Sequence, residues 1–176
     1  MERFEFSIIA SGLDPNADDF ETRFYEGGCD DATVSFQKGH IIIDFAREAE
    51  SIEEAIASAV ESVRALGATV DRIEPDPLVS LSEIAARTGL SRAAITQYAK
   101  GQRGKADFPA PVARVTSDSP LWDWGEVAVW FYRIGRIRQH QLIEAQAMTI
   151  ANDAIEHGAS IKDRLRSGLE EYRACM

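Results

Sequence analysis

The sequence predicts a mixed α+β chain in three parts, and three observations lead there. Over residues 1–74, short runs rich in Phe, Ile and Val alternate with stretches of helical periodicity. Over residues 80–99, two short helical patterns flank a Thr-Gly-Leu-Ser break. Beyond residue 120, apolar residues recur at helical spacing nearly to the end.

The first part reads element by element. Phe4–Ala10 alternates and is rich in Phe and Ile, as a strand requires. Asp14-Pro15 is expected to open a helix carrying Phe20 and Phe24 at i, i+4, ended by Gly27-Gly28. Ala32–Phe36 and His40–Phe45 flank Lys38-Gly39, a hairpin signature. Ser51-x-x-Glu54 has capping-box spacing, and the helix after it places Ile52, Ile56, Val60 and Val63 on one face. Ala68–Ile73 reads as a last strand. The order β-α-β-β-α-β is that of a ferredoxin-like, or split βαβ, domain over residues 1–74. Phe20, Phe24 and Phe36 are expected in its core. Glu74-Pro75-Asp76-Pro77 cannot continue a helix or a sheet interior, so residues 75–77 are expected as a stiff linker.

The second part, residues 78–134, opens with Ser80-x-x-Glu83, another capping box. Leu81, Ile84 and Ala85 point inward from the helix that follows. Gly89 supplies the left-handed residue that turns the chain, Leu90 fills the space beneath, and Ser91 caps a second helix with Ile95 and Tyr98 inside. A small residue at the crossing, a glycine four positions later, and apolar residues one, six and nine positions beyond it make a helix-turn-helix. In that motif the second helix enters the major groove of DNA. Its outward residues would be Ser91, Arg92, Ala93, Thr96, Gln97 and Lys100. The side-chain types suit base reading: Arg for guanine, Gln for adenine, Thr or Ala for a thymine methyl. Lys100, Arg103 and Lys105 suit phosphates.

This stretch, LSEIAARTGLSRAAITQYAKG, resembles the helix-turn-helix of bacterial and phage transcription regulators. The continuation FPAPVARVTSDSPLWDWGEVAVWF resembles the winged part of the MerR and excisionase-like superfamily. The likeness covers residues 78–133. It implies double-stranded DNA binding, with a wing around Arg114–Ser119 near the backbone or minor groove and Arg114 as a further contact. The wing turn Thr116-Ser117-Asp118-Ser119 departs from that pattern: it holds an acid and no cation. Trp122, Trp124, Trp130 and Tyr98 are expected as core rather than as stacking platforms.

The third part, residues 135–176, reads as a helical tail. A helical run from Gly125 toward His157 is expected to bend near Gly135 and to end at Gly158. Ser160-x-x-Asp163 starts a last helix striped by Ile161, Leu165, Leu169 and Tyr172. An apolar stripe of Ile134, Ile137, Met148, Ala151 and Ile155, joined by Gln141, points to a homodimer formed through this tail, which would let two reading heads engage two half-sites.

Charge divides the chain. Net charge is -10, with 19 Lys and Arg against 29 Asp and Glu. Residues 1–76 hold 6 cations and 18 anions, and residues 77–134 hold 7 and 5. A basic patch in an acidic protein can bind a polyanion when the acidic part faces away. The acidic first part would then serve solubility or dock a basic protein partner.

No apolar run is long enough for a membrane span, MERFEF lacks the features of a secretory signal, and Cys29 and Cys175 are too far apart in sequence to read as a motif. A cytoplasmic protein is expected. His40, His140 and His157 show no metal spacing, and no nucleotide-loop or nucleophile motif occurs, so neither an enzyme nor a cofactor or metal is expected. The function expected is a sequence-specific DNA-binding regulator, a repressor. An autorepressing antitoxin, a protein-binding adaptor without DNA affinity, and an excisionase are the alternatives.

Overall fold

The computed structural model describes residues 1–104 and 107–174. Its elements run β1 (Glu2–Ser11), α1 (Phe20–Glu26), β2 (Ala32–Gln37), β3 (His40–Ala49), α2 (Ile52–Ala65), β4 (Thr69–Glu74), β5 (Leu78–Val79), α3 (Leu81–Thr88), α4 (Arg92–Ala99), β6 (Trp122–Asp123), α5 (Trp124–Arg133), α6 (Gln139–Glu156) and α7 (Ile161–Ala174). The chain is thus mixed α+β, as expected. None of the described helices is long and apolar enough to cross a membrane. Two compact units emerge: Met1–Pro75 with Ile150–Met176, and Asp76–Thr149.

The first unit is an antiparallel sheet of order β2-β3-β1-β4. Side-chain alternation fixes its register. Phe6 faces Phe45, Ile8 faces Ile43 and Ala10 faces Ile41, so the apolar residues of neighbouring strands share one face. Phe6 and Phe45 stack with ring centroids 5.5 Å apart. Ile56, Val60 and Val63 of α2 are buried, and α2 contacts β1, β3 and β4. Lys38 and Gly39 both take positive φ, closing a two-residue hairpin in which Gln37 pairs with His40.

Three expectations need correction. The first helix starts at Phe20, not at Asp14-Pro15. The side chain of Asp14 accepts a hydrogen bond from the Asn16 N–H, and its carbonyl accepts one from Ala17, so residues 14–19 turn instead of winding. Phe20 and Phe24 are buried, but Phe36 is 48% exposed, because it lies near the hairpin tip on an outer strand. The tail does not stand apart: its C-terminal part joins the first unit. There α7 lies on α2 with Ile161, Leu165 and Leu169 buried, and Arg173 donates to both carboxylate oxygens of Glu53 at 2.7 and 3.0 Å. Ile137, Met148 and Ala151 of the expected dimer stripe are likewise buried in the single chain.

Arg47 occupies an inward position of β3. It holds Asp31 through two bonds of 2.8 Å, donates to the Gly28 carbonyl and to Ser58, and lies 4.8 Å from the Phe45 ring centroid. The hydrogen bond from Arg47 lowers the Asp31 pKa below its ordinary value. A carboxylate whose folded pKa is depressed stabilises the fold above its unfolded pKa, and that contribution fades as pH falls through the folded one. Asp31→Asn is therefore expected to cost about 1–3 kcal/mol at pH 7. Urea unfolding at descending pH should show the gap from wild type closing below about pH 4.

The second unit has its own core. Val79, Ile84, Ile95, Tyr98, Trp122, Trp124, Val127, Trp130 and Phe131 are buried together, so the three tryptophans and Tyr98 are core residues. Leu78–Val79 pairs with Trp122–Asp123, and the Trp124 N–H reaches the Pro77 carbonyl at 2.7 Å. The bend expected at Gly135 is a full break. Gly135 takes φ +71, its N–H bonds Tyr132, and the Arg136 N–H bonds Phe131, a Schellman ending that separates α5 from α6. Gly158 ends α6 by the same pair of bonds, to Ile155 and from Ala159 to Ala154.

Candidate nucleic-acid interface

The candidate surface is built by two eight-residue helices and the turn between them. Ser80 and Glu83 form a complete capping box. The Ser80 hydroxyl accepts from the Glu83 N–H at 3.3 Å, and the Glu83 carboxylate accepts from the Ser80 N–H at 2.7 Å. That backbone hydrogen bond lowers the Glu83 pKa and engages its charge locally. Ile84 and Ala85 are buried, and the Thr88 hydroxyl donates to the Ile84 carbonyl at 2.8 Å. Gly89 takes φ +69 with open space where a Cβ would stand, so backbone strain rather than crowding selects glycine here.

Ser91 caps α4, its hydroxyl accepting from the Ala94 N–H at 3.1 Å. Ala94, Ile95 and Tyr98 are buried, and the Tyr98 ring meets Trp130 and Phe131 edge-on at 5.1 and 5.8 Å. The remaining residues of α4 then have to face outward. Ser91, Arg92, Ala93, Gln97 and Lys100 are exposed and Thr96 is half-buried, its hydroxyl donating to the Arg92 carbonyl at 2.9 Å. Arg92 and Thr96, Ala93 and Gln97, and Thr96 and Lys100 are each four residues apart, so they line adjacent rows of one face. The Arg92 guanidinium donates to Ser82 of α3 at 2.8 Å, which holds it at the start of α4. The first turn of α4 contains no acid, so the positive end of its dipole is left uncompensated.

Around this face the cations sort by use. Lys100 is the C-cap of α4, where the Gly101 and Gln102 N–H groups bond Tyr98 and Gln97. Arg103 is exposed and lies 5.3 Å from the Tyr98 ring centroid, which sets it beside the end of α4. Lys105 lies outside the described residues. Arg87 is a structural residue. It donates to the Asp76 carbonyl at 2.9 Å and sits 5.3 Å from the Trp124 ring centroid, and burial lowers its pKa. Asp107, the single acid between Arg87 and Arg114, accepts the Trp130 indole N–H at 3.0 Å.

Arg114 lies on the hairpin loop that joins Ala113 to Leu121. Ala113 bridges Leu121, and Arg114 itself takes φ +51 and is exposed. Its carbonyl accepts from both the N–H and the hydroxyl of Ser117, so the turn is closed by local bonds. Val112 and Val115 beside it are 51% and 61% exposed. The structure therefore gathers Ser91, Arg92, Ala93, Thr96, Gln97 and Lys100 on one helix face with Arg103 adjacent, and carries Arg114 on a separate loop. Ser82 was missed by sequence reasoning. Its only signal is its place on α3 two residues after the Ser80 cap.

Charge follows the division into units. Residues 76–149 hold nine Lys and Arg against seven Asp and Glu, and the rest of the chain holds ten against twenty-two. Among the described residues no group of three His, Cys, Asp or Glu could hold a metal ion. Comparison with known proteins finds no matching family model, curated protein or solved structure.

Proposed function

We propose that the chain binds double-stranded DNA sequence-specifically through α4 and regulates transcription. The observation that carries this is the outward face of α4: Arg92, Ala93, Thr96, Gln97 and Lys100, free of acids, on a helix held by buried Ile95 and Tyr98 and preceded by a left-handed glycine turn. These side chains match the donors, acceptors and methyl contacts that the major groove presents. The pairing of Val79 with Trp122 and the hairpin at Ala113–Leu121 support a winged form of the motif. The order β2-β3-β1-β4, with helices after β1 and β3, supports a ferredoxin-like first unit. Its large negative charge opposes non-specific attachment of the whole molecule to DNA. Binding over a promoter would make the protein a repressor.

Lys100 and Arg103 are assigned to phosphates. Replacing either by alanine is expected to weaken binding to all sequences alike and to reduce the salt slope of log affinity by about 1. Fluorescence anisotropy with a specific and an unrelated duplex, across a series of salt concentrations, measures both. An unchanged slope in both variants would remove the phosphate role.

A further inference from the structure

The two outer strands of the first unit differ in how their edges are closed. On β4, the side-chain amide of Asn152 pairs with the Ile73 backbone, accepting from its N–H at 2.9 Å and donating to its carbonyl at 2.9 Å. That strand also carries Asp71, Arg72 and Glu74, and its register shifts between Ile9 and Ala10 of its neighbour. Charges and bulges of this kind discourage edge pairing. On β2, none of these devices is present among the described residues. Its sequence, ATVSFQ, holds no charge and no proline, and its register with β3 is unbroken from Ala32 to Gln37. Phe36 on this strand and Tyr25 on the neighbouring α1 are 48% and 67% exposed. An open groove of mixed lining, with Phe24, Tyr25, Ala32 and Val34 beside the polar Glu21 and Thr22, runs between the two elements.

We infer that the edge of β2 is a self-association surface whose occupant is β2 of a second copy, added antiparallel to form a continuous eight-stranded sheet. The charges beside the strand choose this occupant. Exposed Asp30 precedes β2 and exposed Lys38 follows it. Antiparallel pairing about a two-fold axis at Val34 sets Val34 against Val34 and Ala32 against Phe36, and brings the turn that carries Asp30 to the same end of the pair as the turn that carries Lys38 of the second copy, twice over. The axis stands perpendicular to the sheet, so the helices of both copies lie on one side. The neutral strand thus meets its own apolar side chains, and its flanking charges meet their opposites.

This association does not depend on the DNA-binding reading, and its test uses the full chain without DNA. Sedimentation velocity across a concentration series is expected to show a monomer–dimer equilibrium in the wild type. Phe36→Lys is expected to raise the dimer Kd at least about tenfold with an unchanged circular dichroism spectrum. Lys38→Asp sets two like-charge pairs across the axis and is expected to weaken the dimer, whereas Asp30→Lys with Lys38→Asp restores it. A wild type that stays monomeric at every concentration overturns the inference. So does a dimer that is indifferent to Phe36→Lys, or one that the double exchange fails to recover.

Discussion

Replacing Arg92 by alanine is expected to lower affinity for the matched DNA site by about 1–3 kcal/mol, roughly ten- to a hundredfold, while leaving unrelated DNA bound nearly as before. The reason is geometric. Arg92 is the first residue of α4, exposed, and tethered to Ser82 at 2.8 Å, so its guanidinium is presented as a fork at the helix end that a groove would meet first. Gln97 lies in the next row of the same face and is exposed, and on the proposed reading its amide would pair with adenine. Gln97→Ala should lose a similar amount, and each variant should become tolerant at a different base pair. Competition binding with single-base variants of the site distinguishes this from general weakening. A uniform loss across all sequences would make these residues phosphate contacts and would move base reading elsewhere.

Phe131→Ala is expected to destabilise the second unit by about 3–5 kcal/mol. Phe131 has no exposed surface, and its ring meets Tyr98, Trp130 and Phe108 at 5.8, 5.1 and 6.1 Å. Removing it opens a cavity directly beneath α4. Both the position of α4 and the packing of Arg103 over Tyr98 depend on that cluster. Thermal unfolding should show a fall of about 10 °C or more, and DNA affinity should fall with it above the new midpoint. Phe131→Leu keeps most of the volume and should retain binding. Equal stability of Phe131→Ala and wild type would show that the cluster does not hold α4.

Much of the fold was legible because it rests on local signals. Alternation in Phe4–Ala10 and His40–Phe45, the Lys38-Gly39 turn, and the caps Ser51, Ser80 and Ser91 each act within a few residues, and each appears where the sequence put it. The outward face of α4 was legible for the same reason: burying Ile95 and Tyr98 leaves its other positions to solvent. What failed was decided over distance. The stripe of Ile161, Leu165 and Leu169 forms on the last helix as its spacing requires, but nothing local in the sequence says that α2 of the first unit covers it. Arg47 is set inward by its place in the alternation of Ile41, Ile43 and Phe45, but its partner Asp31 comes from another part of the chain, which no local signal names. Arg87 lies close in sequence to the cations of α4, yet it is held by the Asp76 carbonyl and the Trp124 ring, contacts that no local signal reveals. Phe36 looked like core because aromatic residues in strands usually are, and position at a sheet edge overrode that.

Sequence selection by α4 is what the proposed function stands on. The most direct test is unbiased selection of bound fragments from the source genome with purified full-length protein at moderate salt, sequenced after several rounds. Base reading by α4 should enrich one recurring motif, arranged as an inverted repeat where two copies bind together, and that enrichment should vanish when Arg92 and Gln97 are both replaced by alanine. Recovery of random fragments, or of none, would contradict it.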